Sequence, residues 1–348
     1  MSFAIGISGA TGVTGEVTLR VLEERSFPVR ELRLFASQRS AGQCIRWKGR
    51  DYIVEALDDG RFDGLDLVIS ATSASIAREW APRMVDAGVV VIDQSSAFRL
   101  DPTVPLVVPE INKSDIETHT GIIAGPNCTT AVAVMAIAPL ERAIGIDSVI
   151  SSSYQSTSGG GRDAIEEFLD LSRKAVDQPE ALRGHEPLKL SMPRQFPQTP
   201  AFNVFPQCEA FREGSDISTE EEKMEAEMRK MLHAPALLVH ATAVRVPVLV
   251  GHSVSLALSL RRETTPTEAR RLLSSFPGIR VLDQPWAGEY PTPIRAAGID
   301  DILVGRVRSL PALKNGLSLF ASGDNLRKGN ALNAVQVAEC VLGLGQKV

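Results

Sequence analysis

Phe3-Ala4-Ile5-Gly6-Ile7-Ser8-Gly9-Ala10-Thr11-Gly12-Val13-Thr14-Gly15 is the stretch that decides the architecture of the first half of the chain. Phe3 to Ile7 is a short apolar run, and beyond the glycines Glu16 to Glu24 carries Val17, Leu19, Val21 and Leu22 at helical spacing. The order is strand, glycine turn, helix. Glycines at this spacing let the backbone turn tightly, approach a pyrophosphate closely and pack helix on strand, with the phosphate over the helix N-terminus. Such a pattern alone also fits an ordinary βα turn, and it is the flanking strand and helix that favour the nucleotide reading. Gly9, Ala10, Thr11, Gly12, Val13, Thr14 and Gly15 are therefore candidate cofactor contacts.

A second strand, Leu32 to Ala36, runs into Ser37-Gln38-Arg39-Ser40-Ala41-Gly42, where an NAD site would normally offer a carboxylate to the ribose hydroxyl. No acid stands there. Ser37, Arg39 and Ser40 instead suit a 2′-phosphate, so NADP is the expected cofactor, although Arg39 taken alone also reads as a solvated surface residue. Leu65 to Ala71 and Val89 to Asp93 read as buried parallel strands separated by a helical stretch from Ser75 to Ala87. The expectation is a doubly wound α/β domain, with Ala71, Thr72 and Ser73 at a carboxyl edge where such sheets bind ligands.

The chain has 348 residues, 44% hydrophobic and 23% charged, enough for one large core or two medium ones, with two domains the better reading. A net charge of -5 without a dense Lys/Arg run argues against nucleic acid or an anionic membrane as partner. Cys44, Cys128, Cys208 and Cys340 are too scattered for a disulfide framework or a zinc site, so no metal is expected. With no signal core at the N-terminus and no bilayer-length apolar run, the expected location is cytoplasmic.

From Ser148 onward longer alternating strands appear, at Val149 to Tyr154, Leu237 to Val246 and Ser253 to Arg261, which predicts an α+β domain on a mainly antiparallel sheet. Five prolines between Gly184 and Gln207 predict an irregular excursion of the kind that covers a dimer partner. A final helix is expected from Asn330 to Leu342.

Gly125-Pro126-Asn127-Cys128-Thr129-Thr130 carries the chemistry. Cys128 sits where a turn gives way to the apolar helical run Ala131 to Leu140, and a helix start favours thiolate over thiol and can hold an oxyanion. An intracellular cysteine is ordinarily an inert apolar residue. Gly125 and Pro126 setting a tight turn, Asn127 offering a side-chain donor, and Thr129 or Thr130 placed to cap the helix are more than an inert thiol needs.

Taken in order, the glycine turn, SQRSAG, DQSSAFR, PEIN, GPNCTT, YQSTSGGG, NVFPQ, the EEEKM helix, RVPVLVGHS and DNLRKGNALNAVQ resemble the aspartate-semialdehyde dehydrogenases nearly end to end. The resemblance implies a Rossmann-type NADP-binding domain over 1–128, completed by 325–348, and a substrate and dimerisation domain over 129–324. It implies reductive dephosphorylation of L-aspartyl-4-phosphate (β-aspartyl phosphate) to aspartate semialdehyde and phosphate, a step toward lysine, threonine, methionine and isoleucine, in a homodimer. By matching motif, Cys128 is the nucleophile, His252 the acid/base and Gln155 a positioning residue. Arg99 binds phosphate with Asn127 and Lys223 as neighbours; Glu220, Lys223 and Arg245 are substrate ligands. Ser158, Gly159 and Asn325 join the cofactor contacts.

The chemistry is coherent on its own terms. Thiolate attack on an acyl phosphate gives a thioester that needs only a nearby hydride donor, and His252, a side chain that titrates near neutrality, suits the proton shuttle. Arg245 and His252 are an odd number of positions apart, so Pro247 to Gly251 must break the strand for both to reach one substrate. Glu220 and Lys223 lie one helical turn apart behind the expected caps Ser218 and Thr219, either as a solvent-facing ion pair or as ligands, Glu220 taking an α-ammonium. Arg99 is either a surface residue or, with Ser95 and Ser96, a phosphate site. Two alternatives stay open: an N-acetyl-γ-glutamyl-phosphate reductase, whose acylated nitrogen would leave Glu220 without a cation, and a catalytically silent NADP-binding paralogue.

Overall fold

The computed structural model describes residues 2–345. In chain order it begins β1 (Phe3–Ser8), α1 (Val13–Glu24), β2 (Val29–Ala36), β3 (Cys44–Trp47), β4 (Arg50–Ala56), β5 (Leu67–Ser70), α2 (Ala74–Asp86), β6 (Val90–Asp93), α3 (Pro109–Asn112), β7 (Ile122–Ala124) and α4 (Cys128–Ala143). It continues β8 (Ile146–Gln155), α5 (Arg162–Val176), α6 (Pro179–Leu182), α7 (Thr219–Met231), β9 (Leu238–Arg245), β10 (His252–Leu260) and α8 (Pro266–Ser274). The last elements are β11 (Ile279–Val281), α9 (Pro293–Ala296), β12 (Ile302–Ser309), β13 (Gly316–Gly323) and α10 (Leu332–Val341). The chain forms two compact units: one holds the residues up to Ala131, the segment Ala226–Pro235 and everything from Leu326; the other holds Val132–Glu225 and Ala236–Asn325. Residues 346–348 of the expected 325–348 segment lie outside the described residues.

The first unit is built on a seven-stranded sheet in the order β3-β4-β2-β1-β5-β6-β7. All pairings are parallel except the β3–β4 hairpin, and the order reverses at β1, as in doubly wound dinucleotide-binding folds. Alternation assigns the faces: Ile5, Ile7, Leu32, Leu34, Leu67 and Ile69 pack with Leu19 and Leu22 of α1 and with Leu332 and Val335 of α10. Ala4, Phe35 and Val68 point the other way, toward Ala81 and Met84 of α2. The final helix differs from its expected form, because a π turn over Arg327–Ala331 precedes α10.

The second unit carries a six-stranded sheet, β11-β12-β13-β10-β8-β9. The three central pairings are antiparallel and the two outer ones parallel. Along β8 and β9 one face is buried while Ile150, Tyr154 and Leu238 stand exposed on the other. The proline-rich excursion is irregular as expected and folds over α5: Leu188 and Leu190 pack on Leu171 and Ala175, and Glu167 accepts from the N–H groups of Arg194 and Gln195.

Candidate active site

The glycine turn forms a cradle that side chains would fill. Gly9 has φ +80, and a Cβ there would collide with the Ala71 carbonyl; at Gly15 it would collide with the Gly9 carbonyl. Backbone of β1, β5 and α1 thus meets at van der Waals limits, leaving the space ahead of α1 to a ligand. Gly12 stands at the N-cap without a side-chain cap, so the first N–H groups of α1 are presented outward. At the end of β2, Ser37 opens a 3₁₀ turn over Gln38–Ser40; Ser37 and Arg39 are exposed, and Thr11 Oγ1 lies 3.5 Å from Ser40 Oγ. With no carboxylate between Ala36 and Gly42, these residues fit a nucleotide carrying a 2′-phosphate. Ser73, at the start of α2, pairs with Ser75 at 3.0 Å.

Cys128 is the first residue of α4 and is partly accessible. The helix is capped by Asn127, whose Oδ1 accepts from the N–H groups of Thr129 (2.9 Å) and Thr130 (3.0 Å). This corrects the expectation that a threonine caps: Thr129 and Thr130 lie inside the helix, fully buried, where only a side chain ahead of the first turn can reach those donors. The Asn127 N–H donates to Glu227 Oε2 at 2.7 Å, and Glu227, wholly buried, also pairs with Arg99 Nη1 at 3.3 Å. Arg99 is therefore no surface residue. Its Nε donates to the Gly125 carbonyl and its Nη2 to the Gln94 carbonyl, both at 2.8 Å. Ser95 is not available as a phosphate donor, because its hydroxyl donates to Asp93 Oδ2 at 2.7 Å and accepts from the Ala97 N–H. Beside Cys128, a Cβ on Gly329 of the π turn would stand 3.0 Å from Cys128 Cβ. That turn is anchored by Lys328, 1% exposed, which bonds Glu110 and Gln336 at 2.6 Å each. Burial, the largest single influence, pushes the Glu110 carboxyl up, but the Lys328 charge and the hydrogen bonds from Lys328 and Gln336 together leave it lowered.

In the second unit the chain does break between β9 and β10, and Arg245 ends one strand while His252 begins the next. They meet at Gly159: a Cβ there would lie 3.5 Å from His252 Nε2 and 3.9 Å from Arg245 Nη1. The Ser156 N–H donates to His252 Nδ1 at 3.1 Å, with Ser156 Oγ at 3.0 Å from the same atom. A backbone N–H can only donate, so Nδ1 is the acceptor and the neutral ring carries its proton on Nε2. His252 does not titrate near neutrality. Complete burial, and then the Arg245 charge, push it down to about 3. Arg245 bonds the Ser156 carbonyl through Nη1, while its buried Nε has no partner among the described residues.

Gln155, at the end of β8, donates to Glu220 Oε1 at 3.0 Å. Glu220 is 3% exposed, which excludes the solvent-facing ion pair; Lys223 Nζ stands 4.0 Å from Glu220 Oε2 and also bonds Glu209. Ser218 caps α7 in a capping box with Glu221, whereas Thr219 is the first helical residue and donates to Glu209. Asn325 Oδ1 accepts from Ser156, Ser158 and the Gly251 N–H, so it also ties the loops around His252 together. Two residues that sequence reasoning passed over matter here. Ser156 fixes the His252 tautomer, and Glu227 holds the loop that leads into Cys128; Glu227 stands seven positions after Glu220, on the stripe of buried Met224, Met228 and Met231.

The chain was compared with known proteins. A family model described as "Semialdehyde dehydrogenase, NAD binding domain" matches residues 4–119, and one described as "Semialdehyde dehydrogenase, dimerisation domain" matches residues 137–328. The aspartate-semialdehyde dehydrogenase of Aquifex aeolicus is 43% identical, covering 99% of each chain; that of Mycolicibacterium smegmatis is 42% identical over 96% of this chain and 97% of its own. The crystal structure of aspartate semialdehyde dehydrogenase II from Vibrio cholerae, also solved complexed with ASA, superposes with a TM-score of 0.91 at 36% identity, covering 99% of this chain and 100% of that one. These relatives carry the name that the motifs resemble, not that of the N-acetylated alternative. The chain belongs to the aspartate-semialdehyde dehydrogenase family.

Proposed function

We propose that the chain catalyses the NADPH-dependent reductive dephosphorylation of L-aspartyl-4-phosphate to aspartate semialdehyde, and its reverse, through a thioester on Cys128. The observation that carries this is Cys128 as first residue of α4, in a loop fixed by Asn127, Arg99 and Glu227. The Cys128 sulfur attacks the acyl carbon; the carbon–oxygen bond to phosphate breaks, and phosphate leaves with a proton toward Arg99 and Lys223. The bound cofactor supplies the hydride that the thioester accepts at its carbonyl carbon. His252, neutral with its proton on Nε2, meets the resulting oxyanion as a hydrogen-bond donor, and re-forming the carbonyl breaks the carbon–sulfur bond and releases the Cys128 thiolate, which regains from solvent the proton it lost. Arg245, with its open Nε, takes the substrate α-carboxylate, and Glu220 takes the α-ammonium while Gln155 holds it in place.

The cofactor contacts are Gly9 to Gly15, Ser37, Arg39, Ser40, Ala71 to Ser73, Ser158 and Gly159, with Asn325 holding the latter pair's loop. The protein works as a homodimer across the exposed face of β8 and β9, in keeping with the matched dimerisation domain. No helix among the described residues is long and apolar enough to cross a membrane, and a small-molecule biosynthetic enzyme of this kind belongs in the cytoplasm. The test is phosphate-dependent NADP reduction with aspartate semialdehyde. Wild type turns over, and Cys128→Ala gives no detectable rate; turnover surviving in that variant sinks the covalent route.

A further inference from the structure

We propose that Gln94 reads the carboxamide of the cofactor's nicotinamide ring, an assignment that rests on the function proposed above. Gln94 directly follows β6 at the carboxyl end of the parallel sheet. It is 6% exposed, yet among the described residues neither its amide nitrogen nor its amide oxygen has a hydrogen-bond partner. Folded proteins seldom leave both ends of a buried amide unmade unless a ligand or ordered water meets them. The backbone of the same residue is fully used, its N–H on the Ser70 carbonyl at 2.9 Å and its carbonyl on Arg99 at 2.8 Å. Only the side chain is uncommitted. It lies against Gly125, where a Cβ would stand 2.5 Å from Oε1 and 2.6 Å from Nε2, three residues ahead of the nucleophile.

Topology and chemistry agree on the ligand. A dinucleotide whose pyrophosphate rests on the turn after β1, with its 2′-phosphate at the end of β2, extends its other half across the carboxyl ends of β5 and β6. The ring must also come within reach of a carbon bonded to Cys128, so its substituent falls beside the 125–128 loop. A carboxamide offers a donor and an acceptor, and so satisfies both ends of the Gln94 amide. A phosphate or carboxylate accepts only, and would leave Oε1 unmet.

Binding, rather than turnover, tests this. Dissociation constants are measured by calorimetry for wild type and Gln94→Leu with NADP, with its 3-acetylpyridine analogue, in which a methyl replaces the carboxamide nitrogen, and with adenosine 2′,5′-bisphosphate. Wild type should bind the acetyl analogue about tenfold more weakly than NADP, the worth of one buried hydrogen bond. Gln94→Leu should bind the two about equally, with NADP weakened by about tenfold and the bisphosphate unchanged. The leucine removes an unmade amide from the interior, so thermal unfolding should come no earlier than in wild type, which separates lost recognition from lost folding. Discrimination that survives in the variant overturns the assignment, whether affinity stays intact, as for a water-binding amide, or only the phosphate KM rises. Equal weakening of all three ligands overturns it too. A wild type that binds neither NADP nor the bisphosphate overturns the functional reading beneath it.

Discussion

The glycine turn of the first unit and the His252 cluster of the second handle charge by opposite means. The turn presents backbone: Gly9 and Gly15 remove side chains, and the start of α1 supplies N–H groups whose direction the helix sets. Around His252 the backbone serves the side chains instead, with the Ser156 N–H fixing a tautomer and strands β8, β9 and β10 each delivering one of Gln155, Arg245 and His252 at a strand end. The nucleophile loop lies between these designs, since a side chain, Glu227, holds a backbone, Asn127, in place. A site read by backbone tolerates side-chain changes nearby, whereas a site made of side chains is lost one atom at a time.

The largest test of that contrast is His252→Ala, which should lower kcat by about 10²–10⁴-fold while leaving NADP affinity within about twofold. A parallel loss of cofactor affinity breaks the contrast. Next comes Glu227→Gln, which keeps the shape and removes the charge facing Arg99; kcat/KM should fall about tenfold, with slower alkylation of Cys128 by iodoacetamide. If neither rate moves, the loop needs no side-chain support.

The smallest effect is on stability. Below its ordinary value of 6.5, His252 takes up a proton in the unfolded chain that the folded ring refuses until about 3. The contribution is therefore whole above that range and is lost as pH falls through it, by at most about 1.4 kcal/mol per pH unit. Denaturant unfolding of wild type and His252→Gln at pH 7 and pH 5 isolates it: the variant should lose less between the two, and parallel losses would place the histidine's proton elsewhere.

What the sequence discloses follows the same division. The alternation of Ile5, Ile7, Leu67 and Ile69 and the spacing of Gly9, Gly12 and Gly15 are local, so strands β1, β2, β5 and β6 and the glycine turn are legible residue by residue, whereas β3, β4, β7 and the order of the sheet are set by pairing between strands distant in sequence. Cys128 at a helix start is legible for the same reason. Its cap is not, because Asn127 and the two threonines can all serve as caps and the path of the turn decides which of them precedes the first turn. Nor is Glu227, which in EEEKMEAEMRK looks like one more solvated carboxylate until Met224, Met228 and Met231 reveal which side of α7 is buried. The depressed His252 ring depends on complete burial and then on Arg245, and the burial comes from β8 and β13, strands distant in sequence that flank β10.

The helix that roofs the first sheet is made long after the strands it covers. The seven strands of that sheet have all been synthesised by Ala124, whereas Leu332, Val335 and Ala338, which close over Ile5 and Ile7, follow only after the whole second unit has been translated. A growing chain thus carries an open oily seam while the second unit is being made, the kind of surface that chaperones shield. Because Gly329 arrives with that late segment, the backbone packed against Cys128 is completed only after the second unit has been made, and a product truncated before it lacks that contact.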